Sequence, residues 1–85
     1  MASRVGIISI IVENDNSIKE LNDLLHSYSQ YVIARMGVPY REKSINIISV
    51  AFDAPQDVIS ALSGKIGNLK GVSAKAVYSN VISYE

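Results

Sequence analysis

Ser9 and Ser49, Arg35 and Lys75, and the single histidine His26 are the residues whose types and spacing could bind or react. A nucleophilic hydroxyl needs an adjacent base. With one histidine and no cysteine, no triad-like arrangement can be assembled from recognisable parts. Asp15 and Asp23 lie on or near a helical segment, where solvated helix-start charge explains them better than a paired acid and base. The glycines of "SGKIG" (Ser63 to Gly67) come at the end of a helical segment, so they read as a C-cap and not as a phosphate cradle. His26 follows the apolar helix position Leu25 and reads as a solvated or partly packed side chain. No catalytic residue, no metal and no cofactor is expected.

Arg35 and Lys75 stand apart from this list. A cation in the middle of an apolar strand is costly unless it is paired or wetted. Two outcomes are open: each cation pairs with a carboxylate of a neighbouring subunit, or together they hold a small anion, with Ser9 and Ser49 beside them.

An internal repeat is what relates these pairs. Shifted by forty positions, Ile7, Ile8, Ser9 and Ile10 fall on Ile47, Ile48, Ser49 and Val50, and Ala34 and Arg35 fall on Ala74 and Lys75. Each copy contains a segment of helical period. "SIKELNDLLHSY" sets Ile18, Leu21, Leu25 and Tyr28 on one face and opens with Ser17 and Glu20 at capping-box spacing. "PQDVISALSGKIGNL" sets Val58, Leu62, Ile66 and Leu69 on one face, with Pro55 suited to its first turn. Each half reads strand, helix, strand, and the turn "REKS" joins them. The spacing predicts strands over Arg4–Glu13, Tyr31–Tyr40, Ile45–Asp53 and Val72–Ser79, and helices over Ser17–Gln30 and Pro55–Leu69. The fold class is α+β, a ferredoxin-like βαββαβ unit with a four-stranded antiparallel sheet and both helices on one face. One domain is expected over 1–85, with its core at about 4–79.

Period-two alternation sorts the strand residues between the faces. Ile8, Ile10, Val12, Ile48, Val50 and Phe52 face the helices, with Val32, Ala34, Met36 and Val38 on one flanking strand and Val72, Ala74, Ala76 and Tyr78 on the other. The opposite face should be polar in a monomer. Instead Val5, Ile7 and Ile11 of the first strand and Ile45, Ile47 and Ala51 of the third line its centre. Ile33 and Val77 lie further out, and Ser9, Ser49, Arg35 and Lys75 interrupt it. Such a face marks an interaction surface; strand propensity alone is the plainer explanation of its apolar character. We expect a homodimer or homotetramer with Val5, Ile7, Ser9, Ile11, Ile33, Ile45, Ile47, Ser49, Ala51 and Val77 at the contact.

Composition agrees. The chain has 85 residues, 48% of them hydrophobic, which is more than so small a domain hides by itself. Eight basic and eight acidic residues balance, leaving no electrostatic footprint for nucleic acid. No stretch is long and apolar enough to span a membrane, and no secretory signal is evident, so a cytoplasmic protein is expected.

The run "YVIARMGVPYREKSINIISVAFDAP" (Tyr31 to Pro55), followed by "LSGKIGNLKGVSAKAVYS" (Leu62 to Ser79), resembles the iron-only hydrogenase system regulators. "RMGVPYRE" and "SGKIG" are the most specific pieces, and the resemblance covers roughly Arg4 to Ser79. It implies a small ACT-like domain with a regulatory role. The fold also resembles the C-terminal sensor domain of the nickel-responsive regulator, in which such sheets assemble. The histidine and cysteine ligands of that protein have no counterpart here, so its metal site does not carry over. Its DNA-binding ribbon-helix-helix has none either, so no direct nucleic-acid binding is expected of this chain alone. ACT domains usually carry a glycine in the first strand-helix turn, whereas "ENDNS" has none. The expectation is a non-enzymatic, oligomeric regulatory or small-molecule-sensing domain. The alternative is a structural module that docks to a larger protein through the open sheet.

Overall fold

The computed structural model describes residues 2–84. Its elements are β1 (Ala2–Val12), α1 (Ile18–Ser27), β2 (Val32–Tyr40), β3 (Ile45–Ala54), α2 (Gln56–Gly67) and β4 (Val72–Tyr84), with short 3-10 turns before and after α1 and between β2 and β3. All strand pairs are antiparallel, in the order β2-β3-β1-β4. This is the ferredoxin-like, ACT-like arrangement, with the repeated strands β1 and β3 at the centre.

Both helices cover one face. Leu21 and Leu25 of α1 and Ile59, Leu62 and Ile66 of α2 pack with Ile8, Ile10, Val12, Ile48, Val50 and Phe52 into one buried cluster. The helix faces follow the 3.6 period: Ile18 in α1 and Val58 in α2, with Tyr28 and Leu69 just past the helix ends, are partly buried against that cluster. Ile59 joins them because α2 lies close over β1 at Gly6, where an added Cβ would sit 3.0 Å from the Ile59 Cδ1.

Several local expectations are corrected. Ser17 makes no capping bond at the start of α1; its Oγ donates to the Lys70 carbonyl at 2.6 Å. That bond ties the β1–α1 turn to the turn before β4, where the Glu13 N–H also donates to the Gly71 carbonyl at 2.7 Å. The left-handed glycine is Gly71, at φ 68°, rather than either glycine of "SGKIG". β4 runs on to Tyr84 instead of ending at Ser79, because a bulge resets its pairing with β1 between Tyr78 and Ile82. Arg4 holds that bulge: its Nε donates to the Ser79 carbonyl at 2.8 Å, its Nη2 donates to the same oxygen, and its Nη1 donates to Gln56 Oε1 at 2.7 Å.

The largest correction concerns β2. Its register with β3 shifts between Val32 and Ala34, leaving Ile33 as an extra residue. Beyond it Ala34 pairs with Ala51, Arg35 with Val50, Met36 with Ser49 and Val38 with Ile47. Directly paired residues share a face. Ala34, Met36 and Val38 therefore lie on the open face, and Arg35 lies on the helix face beside buried Val50. A bulge inserts one residue and reverses the alternation beyond it, which is why simple period-two counting put these four residues on the wrong sides.

Candidate functional site

The open face can be written as rows across the four strands, read from the paired residues. Ser9 and Ser49 stand directly opposite one another on β1 and β3, with Met36 beyond Ser49 and Lys75 beyond Ser9. On one side lies the row Ala34, Ala51, Ile7 and Val77; on the other lies Val38, Ile47, Ile11 and Ser73. Past these, Tyr40 pairs with Ile45, and Val5 with Asp53. The antiparallel pairing places a local two-fold axis between Ser9 and Ser49, relating Ile7 to Ile47 and Ile11 to Ala51. The forty-residue repeat is thus the linear record of a symmetric surface.

That surface is apolar and uncovered within the chain. Ile7, Ile11 and Ile47 are 41%, 44% and 41% exposed, and Met36 is 62% exposed. At its centre is a shallow hollow of about 410 Å³ lined by Ser9, Ile11, Ile47, Ser49, Ser73 and Lys75. The serines leave it low, with larger side chains rising around them. Met36, Val38 and Tyr40 enlarge the face beyond what the sequence suggested, and they join it through the β2 bulge. Ile33, at the bulge, is 57% exposed.

The four residues expected to form a ligand site do not meet. Lys75 stands beside Ser9 on the open face as expected, but Arg35 is on the other side of the sheet. There its Nη2 donates to Asn22 Oδ1 on α1 at 2.7 Å. His26 lies one turn further along α1 and lines the same groove as Arg35. Asn22 is a partner that the sequence analysis missed; four positions before His26, it shares that flank of the helix, and this was the available signal.

The two acidic residues singled out in the sequence, Asp15 and Asp23, have local partners. Asp23 accepts from Lys19 Nζ at 3.0 Å, an exposed pair one helical turn apart that raises the pKa of Lys19, and Asp15 Oδ1 accepts from Asn46 Nδ2 at 3.2 Å. Among the described residues, no three His, Asp or Glu side chains cluster as a metal ion would require. No helix among them is long and apolar enough to cross a membrane.

Comparison with known proteins turns this geometry into a family assignment. The TM1266-like family, described as "Iron-only hydrogenase system regulator, putative", matches residues 4–76. The chain belongs to this family. The solved structure of the uncharacterized protein TM1266 from Thermotoga maritima superposes with a TM-score of 0.85 at 36% identity, over 89% of this chain and 96% of that one. A formyltetrahydrofolate deformylase from Pseudomonas putida KT2440 superposes with a TM-score of 0.66 at 14% identity, over 91% of this chain and 29% of that enzyme. At that identity the likeness is one of fold alone. Comparison with the curated proteins found no match.

Proposed function

We propose that the chain is a non-enzymatic regulatory domain that works in the cytoplasm as a homodimer or homotetramer, assembled through the open sheet face and responsive to a small anionic metabolite. The family description supports the regulatory part. If the regulated process is transcription, contact with DNA belongs to a separate partner, since the chain's charges balance.

The observation that carries the reading is the apolar face with its local two-fold. An isologous dimer needs a self-complementary patch. Here each copy offers an exposed apolar patch, Ile7, Ile11, Ile47 and Met36 around Ser9 and Ser49, whose chemical character matches that of its own copy. Among the described residues the face also carries the cation Lys75 and the anion Asp53, so two copies can present opposite charges to each other. Completing the burial of a half-exposed isoleucine is worth about 1 kcal/mol. The set is large enough to offset a substantial part of the cost of association.

The test is thermal unfolding over a wide range of protein concentration. A face buried between copies makes Tm rise with concentration, because association stabilises only the folded chain. A Tm independent of concentration, in a protein that remains monomeric, would overturn the reading and favour docking to a larger partner.

A further inference from the structure

The two halves of the repeat treat their edge strands differently. α2 packs down on β4, where Tyr78 closes the gap and its hydroxyl shares a 2.6 Å hydrogen bond with Ser60 Oγ. No helix packs down on β2 in the same way, and every residue from Ile33 to Tyr40 is exposed. A groove of about 430 Å³ therefore remains between α1 and β2, within the range of about 300–1,000 Å³ usual for small-ligand sites. Its floor is apolar: Leu25 and Val50 are buried and Val32 is half-buried. Its rim is polar, formed by Asn22, His26, Ser29 and Arg35.

The charge balance of this groove is incomplete. Arg35 is turned onto the helix face by the Ile33 bulge, and its hydrogen bond is to the neutral Asn22 amide. Among the described residues, the ion pair of the chain is Lys19–Asp23, so the guanidinium meets no carboxylate. The Asn22 contact fixes one edge of the guanidinium and leaves further N–H donors for an anion. A planar carboxylate matches the fork of a guanidinium better than a spherical ion does. An apolar floor directly beside a cation fits a molecule with an acid at one end and a hydrocarbon chain at the other.

We propose that the α1–β2 groove binds a short aliphatic monocarboxylate, with the carboxylate on Arg35 and the chain over Leu25, Val32 and Val50. Asn22 orients the guanidinium, while His26 and Ser29 line the groove further along, toward Val32. This rests on the sensing part of the function proposed above, and it moves the anion site from the open face to the helix face.

The experiment is titration of the full-length protein with acetate, butyrate and hexanoate, followed by amide chemical shifts. Affinity should rise about threefold to fourfold for each methylene buried, until the floor is covered. The shifts should centre on Asn22, His26, Val32, Arg35 and Val50. Arg35→Met should weaken hexanoate binding at least tenfold while leaving Tm and sedimentation unchanged, and 1-hexanol should not reproduce the shifts. A series with no dependence on chain length, binding that survives in Arg35→Met, or shifts centred on Ser9 and Lys75 would each overturn the assignment. Sedimentation of the same samples keeps the two claims separate. An oligomer that binds none of the acids refutes the groove and leaves assembly through the open face standing, whereas a monomer that binds hexanoate at Arg35 does the reverse.

Discussion

Gly71 shows how much can depend on one position. At φ 68° it occupies backbone space that side chains disfavour, and a Cβ there would lie 2.7 Å from Asn14 Cβ and 3.2 Å from the Asn14 nitrogen. Its carbonyl accepts from Glu13, and the neighbouring Lys70 carbonyl accepts from Ser17. Gly71→Ala should therefore lower stability by about 1–3 kcal/mol, read by urea denaturation, because strain and a backbone clash act together. An unchanged midpoint would mean that the two turns are not locked as described. Arg4 is a second such residue. Arg4→Met should cost about 1–3 kcal/mol and raise amide exchange in Val81 to Tyr84, since the Ser79 carbonyl loses its charged donor. Residue by residue, the sequence was a partial guide. The serines and Lys75 were placed correctly because β1, β3 and the first part of β4 keep unbroken alternation. Arg35 was not, because one extra residue at Ile33 reverses the count. Both faces of this sheet are apolar, so hydrophobicity could not reveal the reversal.

At the scale of elements, the forty-residue repeat and the 3.6 period made the order of strands and helices legible. The repeat did not reveal how the halves diverge. α2 sits close on β1 because Gly6 has no side chain, and Ile59 fills that space. Gly6→Val should lift α2 from the sheet and cost about 1–3 kcal/mol by overpacking. Combining it with Ile59→Ala should recover part of the loss, so that the double mutant is more stable than the sum of the singles predicts. Strict additivity would contradict the contact. The edges were the least legible elements. β2 carries a bulge and Pro39, and β4 carries a bulge that lets it run on past Ser79; both edge strands thus depart from simple pairing. Bulges leave little trace in composition: the β2 bulge falls at Ile33, and the β1–β4 shift is bounded by Gly6 on the β1 side alone.

At the scale of the whole molecule, the sheet separates two tasks. The helix side buries the core and leaves the α1–β2 groove; the other side presents a symmetric apolar surface larger than the sequence suggested. Ile47 lies in the middle of that surface, between Val38 and Ile11, and contributes nothing to the buried cluster. It can therefore be changed without removing a core side chain. Sedimentation velocity of the wild-type chain and Ile47→Asp, at equal micromolar concentration and with far-UV circular dichroism to confirm folding, shows whether the open face is where copies meet. The wild type should sediment as a dimer or tetramer and Ile47→Asp as a folded monomer, since a carboxylate in a dry contact costs several kcal/mol if unpaired. A wild-type monomer, or an Ile47→Asp protein that assembles as the wild type does, would contradict assembly through that face.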